Sequence, residues 1–128
     1  MTDNPSATSS RMPHFNITTR GAAVDSLKGN PQFRDRQVAE ILSNLQVSPK
    51  DWAAPLNPFE SSLVLTGILA GAHSLKTPVM VTMDREFWLT LKESELSAKN
   101  GSHAKEVFCP DPQAATMVYH PTPQEASV

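Results

Sequence analysis

The longest uncharged run in the chain follows Glu60 and ends at Leu75, and its apolar residues fall all round a helical wheel. That distribution predicts a central helix buried on every side. Its start is marked locally: Asn57 can cap, Pro58 suits the first helical position, and Glu60 can complete a capping box. Gly67 and Gly71 stand one turn apart, so a second backbone could approach that face and admit a homodimer through this helix. The run is too short for a membrane span, which needs roughly 20 apolar residues, and it contains Ser, Thr, His and two Gly.

Upstream the patterns are weaker. Phe15 and Ile17 alternate with polar neighbours across His14 to Thr18, a short strand. Gly21 to Gly29 reads as a loop or a weak helical turn. Asn30-Pro31 opens an amphipathic helix in which Val38, Ile41, Leu42 and Leu45 share one face, with Arg34, Asp35 and Glu40 off it. Ser48-Pro49-Lys50-Asp51 forms a turn carrying Trp52, and Pro55 ends it.

Downstream, Thr77-Pro78 breaks the central helix and Val79 to Met83 reads as a strand. Asp84-Arg85-Glu86 is then a charged turn, and Phe87-Trp88-Leu89 returns to an extended apolar stretch. Thr90-Leu91-Lys92-Glu93 predicts a second capping box, with a helix to about Lys99 and a stop at Asn100-Gly101. Lys105 to Cys109 and Ala115 to Tyr119 predict a hairpin with a four- or five-residue loop. The fold class expected is α+β: two N-terminal helices, one amphipathic and one buried, on a small, mostly antiparallel sheet, with a further short helix. Residues 1–13 and 121–128 are expected to be disordered tails around a single domain at 14–120.

Composition changes this picture little. A chain of 128 residues with 39% hydrophobic content is one lean domain. The single cysteine, Cys109, excludes an internal disulfide framework, and residues 1–13 lack the apolar segment of a secretion signal, so a cytoplasmic location is expected. The net charge is −2, but residues 11–50 hold six basic residues against three acidic, and residues 51–128 hold five against nine. A basic N-terminal part suits a polyanion.

Catalytic chemistry finds no foothold. His14, His73, His103 and His120 are far apart in sequence, and although His103 and Cys109 could meet on one strand, two ligands do not fill a zinc site. Cys109 lacks the context that lowers a thiol pKa, and there is no phosphate-cradling glycine loop. Glu93 and Glu95 are accounted for by the capping box and by solvent. Leu42 to Ser48 has part of a helix-turn-helix rhythm, but Gln46 replaces the turn glycine and Pro55 truncates the second helix. No catalytic residue, metal or cofactor is therefore assigned, and an enzyme is not expected.

The aromatic residues are more informative. Single-stranded nucleic acid is held by ring faces that stack bases and by cations that follow the backbone. Neighbours in a strand point to opposite sides, so Phe87 and Leu89 would face the core and Trp88 would be an exposed platform, flanked by Arg85 and Lys92.

Several of these features together resemble the N-terminal domain of ArdC-type antirestriction proteins, shared with TraC-type plasmid primases. Val38-Ala39-Glu40-Ile41-Leu42 is similar to that domain's first helix, Trp52 to its tryptophan after a turn, and Asn57-Pro58 to the opening of its apolar helix. Trp88-Leu89-Thr90-Leu91-Lys92, followed by Asn100-Gly101, is similar to its strand-to-helix junction. The Tyr-x-Gly-x-Asn motif of the family is absent, the Lys-Gly-Glu-Lys-Gly turn is reduced to Asn100 to Lys105, and the family's second domain is expected to be missing. The resemblance implies single-stranded DNA binding by a small protein of plasmid or phage type; with the aromatic pair between Arg85 and Lys92 and the basic N-terminal part, it makes Arg34, Arg36, Trp52, Arg85, Trp88, Lys92 and Lys105 the expected contact residues. The alternative expectation is an inhibitor or adaptor that binds a host protein, suggested by small size and an acidic C-terminal half.

Overall fold

The computed structural model describes residues 12–33, 40, 43, 48–91 and 103–121. In chain order the elements are β1 (His14–Asn16), α1 (Arg20–Lys28), α2 (Pro58–Leu75), β2 (Val79–Asp84), α3 (Arg85–Thr90), β3 (His103–Val107) and β4 (Ala114–His120), with single 3-10 turns at Pro31–Phe33 and Pro49–Asp51. The strands form one mixed sheet in the order β1-β2-β4-β3. β1 runs parallel to β2, and the other two pairings are antiparallel. The architecture is α+β.

Local chemistry explains the helix starts. Asn57 accepts from the Glu60 backbone N–H at 2.7 Å while the Glu60 carboxylate accepts from the Asn57 N–H at 3.1 Å, so the expected capping box is complete. The other Glu60 oxygen takes a 2.6 Å bond from Arg20, tying the start of α2 to the start of α1. α1 is longer than the loop or weak helical turn expected there: it has nine helical residues and is capped by Thr19, whose side chain accepts from the Ala22 N–H. Its orphan N–H donors at Arg20 and Gly21 bond the carbonyls of Ala54 and Trp52. The Trp52 indole packs against Gly21 so closely that any Cβ there would collide with it. Tertiary contacts thus hold a helix that begins at Arg20 and stops against Gly29.

The segment after β2 is a second correction. Asp84 to Leu89 is neither a turn nor extended: Asp84 caps α3 by accepting from the Glu86 and Phe87 N–H groups at 3.0 and 3.3 Å. Thr90, expected to begin a helix, ends this one, and Leu91 is extended. The junction implied by the family resemblance is therefore helix-to-extended at these residues. The helices expected at 30–46 and 90–99 fall largely outside the described residues; Glu40 and Ser43 are helical and exposed.

All the described helices contribute to a core on one face of the sheet. Strand alternation places Phe15, Val81 and Met117 in one cross-strand row of that face, and Val79, Tyr119 and Ala104 in the next. Ala23, Val24 and Leu27 of α1, Val64, Leu65, Ile68 and Ala72 of α2, and Trp88 of α3 belong to the same buried cluster. Full burial of each large apolar side chain there contributes roughly 1.5–3 kcal/mol. α2 is buried on one side only: Phe59, Leu63 and Thr66 face solvent, which corrects the expectation of all-round burial. No helix among the described residues is long and apolar enough to cross a membrane.

Candidate functional site

The same alternation that sends odd-numbered residues of β1 and β2 into the core sends His14, Asn16, Met80 and Thr82 to the opposite face. β4 adds Thr116, Val118 and His120, and β3 adds His103, Lys105 and Val107. Among the described residues no helix packs on this face. One row across all four strands reads His14, Met80, Val118, Lys105, with the imidazole and the ammonium exposed at its two ends. The next row reads Asn16, Thr82, Thr116, Val107.

A hydrogen-bonded chain fixes part of the surface. His14 Nε2 and Thr82 Oγ1 are 2.8 Å apart, and Thr82 Oγ1 and Thr116 Oγ1 are again 2.8 Å apart. The β3–β4 loop, from Phe108 to Asp111, borders a groove of about 330 Å³ over these residues. Asp111 shapes the loop by accepting from the Gln113 N–H at 2.9 Å. Phe108 stands 86% exposed at the groove, and Cys109 lies in the loop rather than ending a strand.

At the other end of the face, His103 and His120 are opposed across the β3–β4 ladder, with their rings stacked at 4.8 Å. No sequence spacing hints at this pair, since only strand register brings it together. Burial, and secondarily the charge of His103, lower the His120 pKa from its ordinary 6.5. The unfolded chain then takes up a proton on this ring before the native state does. Stability from this group is present above about pH 6.5 and is lost as pH falls through the depressed native value. Thermal unfolding followed from pH 7.5 downward should show this loss, and His120→Gln should remove its share; an unchanged profile in the variant would exclude the assignment.

The expected contact residues fare unevenly. Trp88 is 6% exposed and donates its Nε1 proton to Glu106 at 3.0 Å, so it is a core residue and not a platform. Its helical setting reverses the strand-based assignment: Phe87 is half-buried and Leu89 is 69% exposed. Arg85 is engaged on the helical side, donating to the Pro112 carbonyl at 3.1 Å and pairing with Glu106 at 3.8 Å. Trp52 is 41% exposed but stands beside α1. Arg34, Arg36 and Lys92 lie outside the described residues. Lys105 alone of this set lies on the uncovered face. Phe108 and His14 were missed; the alternation at His14-Phe15-Asn16 was the available signal for the latter.

Among the described residues no group of three or more His, Cys, Asp and Glu comes together as a metal site. The helical side carries a second cavity, of about 370 Å³, where Pro55, Leu56 and Ser61 meet Phe87 and Thr90. Compared with family models, curated proteins and solved structures, the chain matches none.

Proposed function

We propose that the protein is a small, non-enzymatic binding module of plasmid or phage type that takes single-stranded nucleic acid, DNA by preference, on the uncovered face of its sheet. The observation that supports this reading is the row from His14 to Lys105, exposed at both ends and covered by no described helix, with the exposed ring of Phe108 beside it. A four-stranded sheet spreads unstacked bases over its surface, and imidazole and phenyl faces can stack them. Lys105 meets a phosphate, and Asn16 and Thr82 offer polar atoms to base edges. The DNA preference and the plasmid or phage setting rest on the family resemblance.

Fluorescence anisotropy with a labelled oligothymidine, at low and then rising salt, tests this. Binding that weakens with salt is expected, since phosphate contacts release counterions. Phe108→Ala should weaken it by about 1–3 kcal/mol, the usual cost of one stacked base. Lys105→Ala should weaken it and flatten the salt dependence. No binding at tens of micromolar in low salt would end this reading.

A second reading, a protein-binding inhibitor or adaptor, is favoured by apolar side chains exposed on the helical side. Phe59 is 71% exposed and Leu89 69%, each adjoining a residue that lines the 370 Å³ cavity. A stoichiometric partner recovered from nuclease-treated lysate, and lost with Phe59→Ser, would support it.

A further inference from the structure

His103 and His120 are partners in the β3–β4 register, share the uncovered face, and hold their rings 4.8 Å apart with planes 24° from parallel. Neutral imidazole is the commonest protein ligand for divalent transition metals, and it suits zinc, nickel and copper. Two nitrogens bound to one such ion, each at about 2.1 Å, stand roughly 3.0–3.4 Å apart. Rings already stacked face to face reach that separation by tilting toward each other at one edge. The ladder holds both backbones in place, so little freedom is lost when the second ring binds.

We propose that the His103–His120 pair is a binding site for a single divalent transition cation of the zinc and nickel class. Among the described residues the two imidazoles are the protein ligands, and the other positions stay open to exchange. Such a site is open and exchangeable, unlike a four-ligand structural zinc site. It clips the edge strand β3 to β4, so the cation stabilises the fold by binding the native state alone. The site does not depend on nucleic-acid binding: a chain that ignores oligonucleotides would still take up the ion.

The test is a titration of the full chain with Ni²⁺ at pH 7.5, followed by calorimetry and by amide NMR. One ion per chain is expected, with a raised Tm. Paramagnetic broadening should begin at the amides of His103, Ala104, Tyr119 and His120. Losing even an outer-shell partner costs a metal site roughly 10–100-fold, so His103→Ala and His120→Ala should each weaken uptake by about tenfold or more. His14→Ala, on the far strand of the sheet, should leave it unchanged. Zn²⁺ should compete for the same site. The NMR measurement needs no substitution, so the test survives if a variant fails to fold. Broadening centred elsewhere, no uptake at millimolar Ni²⁺, or unaltered affinity in both folded variants would overturn the proposal.

Discussion

Trp88→Ala is expected to lower the free energy of unfolding by about 3–5 kcal/mol, the range for deleting a buried large aromatic. Trp88 is part of the core cluster formed by α1, α2 and the inner face of the sheet. Its truncation leaves a cavity beside α3, and it also removes the Nε1 bond to Glu106 on the edge strand β3. Glu106 sits at the sheet margin, where water can replace the lost donor, so most of the cost is the lost burial. Trp88→Phe should therefore be milder, at about 1–3 kcal/mol. Urea denaturation of the two variants checks this. Both should bind oligothymidine like the parent as long as they are folded, because the indole lies on the opposite side of the sheet from the proposed site. A stable Trp88→Ala protein that has lost binding would restore the exposed platform that the strand-based reading expected.

Phe33→Ala should cost a similar amount, about 3–5 kcal/mol. Phe33 is 1% exposed and closes the short turn after α1. Its ring meets Phe15 edge-to-face, at 5.0 Å between centroids, and also packs against α2 at Gly71. A Cβ at Gly71 would run into the ring, which the packed core holds in place. Gly71→Ala should accordingly destabilise the parent by about 1–3 kcal/mol of overpacking, more than the roughly 1 kcal/mol that alanine gains in helix propensity. In the Phe33→Ala background the same change meets empty space and should be neutral or stabilising. A double-mutant cycle by thermal unfolding measures this coupling. Strict additivity would show that Gly71 is not there to seat Phe33.

The glycine at position 71 was legible as a site of close approach, but its occupant was not. The sequence suggested a second backbone or a second copy, and a ring from residue 33 lies there instead. Features set by neighbouring residues were read correctly. Asn57-Pro58-Phe59-Glu60 carries its cap within four positions, and Val79 to Met83 is a short β-prone run after the Thr77-Pro78 break. Phe87-Trp88-Leu89 was misread because three apolar residues fit a strand and a helical turn equally well. Asp84, an available cap just ahead of them, was the signal that should have decided it. α1 was only partly legible: Thr19 is a local cap, but the Arg20 and Gly21 N–H groups are satisfied by carbonyls more than thirty residues away, which no local pattern reports. The uncovered face was the least legible of all. Its rows depend on β1 pairing with β2 and on β4 lying between β2 and β3, an order that periodicity does not reveal.

The most direct test of the proposed site is an amide chemical-shift map of the isotopically labelled protein titrated with a short oligothymidine at low salt. Perturbations should fall on the uncovered face and its groove, at His14, Asn16, Thr82, Lys105, Phe108, Thr116 and Val118. The amides around Phe59, Leu63 and Leu89 should stay still. Shifts confined to that helical side, or none at saturating oligonucleotide, would contradict the assignment of the sheet face as a single-strand binding surface.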